Sequence, residues 1–472
     1  MAKAGLNRID MPKQAVNDRI QNFSEVATGY TPADAHTEAA RCLQCKKRYC
    51  VEGCPVNIDI PEFILALRDG NMPEAARVLK KTNSLPGVCG RVCPQETQCE
   101  QACILNKKEA PIAIGRLERF VADWERGHSA EVNLPKSLKP KSGKKAAVVG
   151  AGPAGLTAAA ELARLGHDVT LFESLHTAGG VLMYGIPEFR LPKDIVQGEI
   201  EYVKSLGVTL ELNSVAGRLF SLEDLFKQGF QAVFLATGAG LPLFLNVQGE
   251  NLSGVYSANE FLTRVNLMKA HNFPSSDTPV KKGRKVAVIG GGNVAMDAAR
   301  CALRLGAEEV SIVYRRSELE LPARKEEVDN AREEGIKFHF LTSPVRFLAN
   351  EQGQVRAMEC QKMALGEPDA SGRRRPIPVG GSEFEMDIDL AVIALGTRPN
   401  PLVMQSAPDL QVNSNGTVLA DINGQTSHRA VWAGGDIVTG SDTVISAMGA
   451  AKRSAVVIDE YLRSLREDSF SK

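Results

Sequence analysis

The sequence predicts an α/β chain: a helical, cysteine-rich N-terminal module, then two β-α-β units, the second inserted in the domain built on the first. Three observations carry this. All but two of the ten cysteines fall within the first 103 of 472 residues. Two segments, "KKAAVVGAGPAGLTAAAELARLGHDVTLFE" and "RKVAVIGGGNVAMDAARCALRLGAEEVSIVYRR", each read as buried strand, glycine turn, alanine-rich helix and second strand. The final block, "AVWAGGDIVTGSDTVISAMGAAKRSAVVIDEYL", supplies one more strand, a Gly-Gly-Asp turn and a closing helix.

The N-terminal module reads as helical. "IPEFILALRDGNMPEAARVLKKTN" places Ile64, Leu67, Ala75 and Leu79 on helical spacing, interrupted at Gly70 and Pro73. "IGRLERFVADWERG" is a second amphipathic helix, with Leu117, Phe120, Val121 and Trp124 on one face. The polar stretch "HSAEVNLPKSLKPKSGKK" follows as a surface linker.

The cysteines are spaced C-x₂-C-x₄-C-x₃-C (Cys42, Cys45, Cys50, Cys54) and C-x₃-C-x₅-C-x₃-C (Cys89, Cys93, Cys99, Cys103). Disulfides, zinc and iron–sulfur clusters could each employ them. Disulfide frameworks belong to small secreted domains. The start "MAKAGLNRIDMPKQ" has no apolar signal region, so a reducing, cytoplasmic location is expected. Zinc ribbons favour paired C-x₂-C knuckles, and only one is present. Staggered spacing with proline directly after Cys54 and Cys93 favours loops around iron–sulfur clusters. The 56 basic and 56 acidic residues cancel, which argues against a nucleic-acid partner. No run approaches the roughly 18 apolar residues of a membrane span.

In the first unit Gly150 permits the tight turn, Gly152 lets the backbone approach a pyrophosphate, and Gly155 lets helix and strand pack closely. This is a Rossmann-like phosphate site at a helix N-terminus. Its second strand ends in Glu173, suited to ribose hydroxyls. The second unit carries Gly290 and Gly292, with Ala295 in the third glycine position. Tyr314 stands where the acid would be, followed by Arg315 and Arg316, which attract a 2′-phosphate. The first site is therefore expected to hold an adenosine with a free 2′-hydroxyl, and the second NADP. Gly179 and Gly180 after Glu173 permit close approach of a bulky ligand, and with Asp436 in the distal "AGGD" the pattern resembles the flavoprotein disulfide reductases, which implies FAD in the first site. Histidines at 128, 167, 176 and 271 sit in loops or turns, and no catalytic acid or base is expected.

The motifs "NSLPGVCGRVCPQETQCEQAC", "VAVIGGGNVAMDAAR" and "LGEPDASGRRRPIP" resemble the glutamate synthase small-subunit family, which is related to the N-terminal half of dihydropyrimidine dehydrogenase. The tracts "YGIPEFRLPKDIV" and "GVYSANEFLTRVNLMKA" most resemble the large subunit of electron-bifurcating NADH-dependent ferredoxin:NADP oxidoreductase. The resemblance implies FAD on Gly152, Pro153, Ala154, Gly155, Glu173 and Gly180, with Arg190 at its phosphates and Asp436 and Thr443 near its ribityl chain and flavin. It implies NADP on Gly292, Asn293, Val294, Arg315, Arg316 and Ala394 to Gly396, with Arg324 nearby.

It also implies two 4Fe–4S clusters: one on Cys42, Cys45, Cys50 and Cys103, the other on Cys54, Cys93, Cys99 and the Glu118 carboxylate, with Cys89 a bystander. The expected domains are 1–130 for the clusters, 131–143 as linker, 144–282 with 400–472 for FAD, and 283–399 for NADP. The implied activity is electron transfer between NADP(H), FAD, the clusters and a partner subunit. That partner would be a small flavin and 2Fe–2S subunit, with ferredoxin a further possible partner, or a large glutamate synthase chain.

Overall fold

The computed structural model describes residues 7–129, 132, 139–369 and 371–465. In the N-terminal module the helices Pro32–Ala40, Ile60–Arg68, Met72–Thr82, Pro86–Val92 and Ile114–Gly127 pack around a common apolar core. Their starts are chemically marked. Thr31 and Asp34 form a reciprocal capping box, and Asp59 and Asn71 each accept a backbone N–H of the first turn. Gly70, at φ +78°, turns the chain between the second and third helices, and Pro73 opens the third. In Ile114–Gly127, Leu117 and Val121 are fully buried, whereas Phe120 and Trp124 lie at the edge of the core. Trp124 stacks on His128 with ring centroids 4.5 Å apart.

Strands β1 (Lys145–Val149), β2 (Asp168–Phe172), β3 (Thr209–Glu211), β4 (Ala232–Leu235) and β16 (Val431–Ala433) form one parallel sheet, ordered β16-β4-β1-β2-β3. The C-terminal block thus pairs with β4, and the closing helix Val444–Ser464 packs on the helix Pro153–Arg164 that follows β1. A second parallel sheet is ordered β6 (Val255–Ser257), β14 (Leu390–Ile393), β7 (Lys285–Ile289), β8 (Glu309–Tyr314), β9 (Lys337–Phe340). Between β9 and β14 lies an antiparallel excursion, β10 (Thr342–Ala349), β11 (Val355–Pro368), β12 (Arg374–Pro378) and β13 (Phe384–Asp387). At the crossings between the two sheets, β5 (Leu241–Pro242) pairs antiparallel with β15 (Thr397–Arg398).

Two details differ from the sequence expectation. Residues 255–266, expected with the first sheet, supply β6 and a helix to the second, since Val255 pairs with Ala391. The N-terminal arm before Pro32 reaches beyond the module to both nucleotide units. Arg19 Nε donates to Glu334 at 3.0 Å, and the Val26 N–H donates to the Phe189 carbonyl at 2.9 Å. The expected linker 131–143 lies outside the described residues except for Val132 and Lys139–Gly143.

Candidate functional site

Both glycine turns open onto one continuous cavity of about 1080 Å³. Gly150, at φ +103°, carries a turn that only glycine fits: a Cβ there would lie 2.4 Å from the Ala236 carbonyl oxygen. A Cβ on Gly155 would lie 1.8 Å from the Gly150 oxygen, so helix and turn are in direct contact. At Gly152 a Cβ would meet nothing within 4 Å, because that position faces the cleft. Pro153, which has no N–H, opens the helix behind it, and the free first-turn N–H groups begin at Ala154, beside the cavity. Gly180 closes back over this turn; its Cβ would lie 2.9 Å from Gly152 Cα.

Glu173 ends β2 at the cavity wall, 5% exposed. Its Oε2 accepts the Ala151 N–H at 2.8 Å, and Oε1 accepts the Leu175 N–H at 2.9 Å. Backbone donors thereby fix the carboxylate while lone pairs remain for ribose hydroxyls. Asp436, after the Gly434-Gly435 turn, lines the same cavity, and burial pushes its pKa up to about 6. Thr443 caps the long closing helix by accepting the Ser446 N–H, at the cavity edge.

Arg190, expected at the FAD phosphates, lines the cavity and is paired with acids of the second unit. Its guanidinium donates to Asp297 at 2.6 and 2.8 Å and lies 3.3 Å from Glu327. A cavity-lining arginine of the first unit is thus tied to acids of the second.

At the second turn, Gly290 touches Ala394: a Cβ on Gly290 would fall 2.3 Å from the Ala394 oxygen. Gly292, Asn293, Val294 and Gly396 line the cavity, and Val294 is 48% exposed. Asn293 Oδ1 accepts the Arg324 N–H at 2.9 Å. Arg315 is exposed at the cavity's far end. Arg316 is buried, and its Nη2 donates to Asp369 at 2.6 Å. Arg324 turns away from the nucleotide end. It donates to Gln95 Oε1 at 2.9 Å and to the Arg91 carbonyl at 3.1 Å, bridging to the N-terminal module. Sequence reasoning passed over Asp297 and Arg373, both cavity-lining. Asp297 is readable only through its partner Arg190. Arg373 is hidden in a run of three arginines on a hairpin.

In the module, Cys42, Cys45, Cys50 and Cys103 line one small cavity of about 30 Å³, walled by Ile60, Ile64, Ile112 and Ile114. Burial raises Cys50 to about 12, and neighbouring Cys42 and Cys103 push the same way. The four thiols surround a volume rather than a point, which suits a cluster. Among the described residues no three His, Cys, Asp or Glu groups converge on a single ion's position. Cys54, Cys93 and Cys99 are buried together with Glu118. Burial raises Cys54 to about 11, and the Glu118 carboxylate contributes. Glu118 itself is raised by burial to about 8, and its Oε1 accepts the Asn83 amide at 2.7 Å. Cys89 packs 3.6 Å from Met448 Sδ of the closing helix and donates weakly to Asn83 Oδ1 at 3.8 Å, while also contacting Cys93. Three thiols and a carboxylate, all buried, fit an iron–sulfur ligand set.

Comparison with known proteins agrees with this architecture. Residues 19–130 match the family described as dihydropyrimidine dehydrogenase domain II, 4Fe-4S cluster. Residues 144–451 match the pyridine nucleotide-disulphide oxidoreductase family. The chain is 37% identical to the glutamate synthase [NADPH] small chain of Escherichia coli, covering 97% of this chain and 98% of that one. It is 42% identical to the NADP(+)-dependent formate dehydrogenase subunit beta of Moorella thermoacetica over 88% of its length, spanning 60% of that subunit. The Mycobacterium tuberculosis FprA structure in complex with NADPH has a TM-score of 0.57 at 22% identity, covering 68% of this chain and 85% of that one, and shows the shared fold. No helix among the described residues is long and apolar enough to cross a membrane. An almost end-to-end relative and matches over both halves lead to one conclusion: the chain belongs to the glutamate synthase small-chain family of pyridine nucleotide-dependent oxidoreductases, whose cofactors here are FAD, NADP(H) and 4Fe–4S clusters.

Proposed function

We propose that this oxidoreductase is an electron-input subunit that takes reducing equivalents from NADPH and delivers them to a partner chain. One observation supports this best: Val92 and Pro94, which flank Cys93, form part of the wall of the cavity that both glycine turns share. The cluster of Cys54, Cys93, Cys99 and Glu118 would thus adjoin the nucleotide cleft. The cluster of Cys42, Cys45, Cys50 and Cys103 would lie beyond it, beside exposed Leu43, Tyr49 and Ile104. Bound FAD supplies the conversion between two-electron hydride chemistry and one-electron transfer.

The chain's own residues would bind and orient. Gly152 and the following N–H groups would take the FAD pyrophosphate, Glu173 the ribose, and Asp436 and Thr443 the ribityl and flavin end. Gly292, Asn293 and Val294 would hold the NADP pyrophosphate, with Ala394 and Gly396 on the return strand. Arg315 would bind the 2′-phosphate, and Arg316 would brace the loop through Asp369. Arg190 would orient the two units through Asp297 rather than contact FAD phosphates directly.

The glutamate synthase reading, with a large amidotransferase partner, is favoured by the near end-to-end match to its small chains. The second reading, electron bifurcation with a small flavin and 2Fe–2S partner, rests on the tracts "YGIPEFRLPKDIV" and "GVYSANEFLTRVNLMKA". Anaerobic affinity capture from the native source tests both. A large glutamate synthase chain is the expected partner; a small flavin and 2Fe–2S chain would replace the first reading with the second.

A further inference from the structure

Four arginines, Arg315, Arg316, Arg373 and Arg374, gather where β8 ends and the β11–β12 hairpin turns; the first three line the cavity, and their contacts divide the four into two pairs. Arg316 Nη2 donates to Asp369 at 2.6 Å and its Nε to the Arg374 carbonyl at 2.8 Å. Arg374 Nε donates in turn to Glu320 Oε1 at 2.6 Å. Glu320 is itself held by Ser317, in the capping box of the loop after β8. These crossed ion pairs clamp the turn between β11 and β12 onto that loop. Arg316 and Arg374 therefore have internal partners.

Arg315 and Arg373 have no carboxylate partner among the described residues. Both line the cleft, Arg315 from the end of β8 and Arg373 from the clamped hairpin. Arg315 has no ion pair among the described residues, and Arg373 donates only to the Ser371 hydroxyl, at 3.0 Å. The bonds of Arg316 to Asp369 and the Arg374 carbonyl bring the two segments together, so two guanidiniums without a counter-charge line one cavity, where an anion with several acceptor oxygens would neutralise both. Thr342, Ser343 and Pro344 line the cavity at the same end, with no acidic side chain from that segment. We propose that Arg373 is a second ligand of the NADP 2′-phosphate, facing Arg315 across the adenosine end and delivered by the hairpin that Arg316–Asp369 and Arg374–Glu320 hold in place. This rests on the reading that the second glycine turn binds NADP.

The proposal explains why an excursion inserted between β9 and β14 bends back to the nucleotide site. It also makes NADP selectivity a property of two separate segments: the β8 end reads the phosphate from one side and the hairpin from the other. Two forks offer bidentate geometry that lysine cannot supply.

Isothermal titration of the oxidised, FAD-loaded protein with NADP⁺, NAD⁺ and 2′,5′-ADP tests it. Arg373→Ala should weaken NADP⁺ and 2′,5′-ADP about tenfold or more and leave NAD⁺ unchanged, since a charge-assisted contact is lost only to the phosphate-bearing ligands. Arg373→Lys should recover part of the loss. Arg373→Ala binding NADP⁺ as the wild type does, or losing NAD⁺ equally, would overturn the proposal. Arg315→Ala run in parallel separates the levels. If it abolishes the NADP⁺ preference while Arg373→Ala does not, only the hairpin's role fails. If it leaves the preference intact, the NADP reading of the cleft fails as well.

Discussion

At the scale of single residues, Glu118 and Cys89 decide how the second cluster is held. Glu118 is fully enclosed, its carboxylate faces the thiols of Cys54, Cys93 and Cys99, and Asn83 steadies one oxygen. Cys89 is as buried, and its sulfur touches Cys93 as well as Met448 and Asn83. Thiolate is the usual iron–sulfur ligand, so the two candidates are chemically unequal and geometry must arbitrate. We expect Cys89→Ser to keep the full iron content and Glu118→Ala to lose or destabilise one cluster. Iron and sulfide analysis with low-temperature EPR reads both. Loss of about four irons in Cys89→Ser would make that thiol a ligand. Cysteine clustering and helical spacing made these candidates legible in sequence. Glu118 versus Cys89 could not be resolved there, because both fall on buried helix faces.

At the scale of elements, the N-terminal arm is fastened by charge. Glu334 accepts from Arg19, Arg300 and Arg304, with side chains 0–1% exposed. Burial alone would raise its pKa, but hydrogen bonds from Arg304 and Arg300 outweigh that and hold it down to about 2. A carboxylate whose folded pKa is depressed contributes its stability in full above its ordinary pKa of 4.5 and loses it as pH falls towards 2. The window is worth on the order of 3 kcal/mol. Glu334→Gln removes the carboxylate that three guanidiniums share, leaving Arg19 its Glu333 and Arg300 its Glu327 but Arg304 without an acid, and should destabilise by about 3–5 kcal/mol. Chemical denaturation at pH 7 should show that loss, and between pH 5 and 3 the variant should lose less stability than wild type. Identical acid sensitivity would remove Glu334 from this role. The glycine turns, their strands and the C-terminal return were readable because period, turn residues and helix start coincide. Strand β6 was not: three residues in "GVYSANEF" carry no glycine fingerprint, and only pairing with β14 assigns them. The arm's anchor at Glu334 and the bond from Arg190 to Asp297 join residues distant in sequence, which no local pattern encodes.

At the scale of the whole molecule, the contacts that join the second nucleotide unit to its surroundings include Arg190–Asp297, Arg324–Gln95 and Arg19–Glu334. Gln95 lies two residues from Cys93, so Arg324 links the second glycine-turn unit to the loop of a proposed cluster ligand. Arg324→Ala should leave NADP⁺ affinity within about twofold while slowing cluster reduction after flavin reduction, because interdomain spacing rather than binding is changed. A large loss of NADP⁺ affinity would return Arg324 to the nucleotide site. Anaerobic stopped-flow mixing with NADPH or NADH, followed by freeze-quench EPR, follows the electrons from nucleotide through flavin to cluster. Rapid flavin bleaching by NADPH, reduced-cluster signals appearing after it, and far slower bleaching by NADH are expected. Equal reduction by the two nucleotides, or a flavin that reduces while the clusters stay oxidised, would contradict this route.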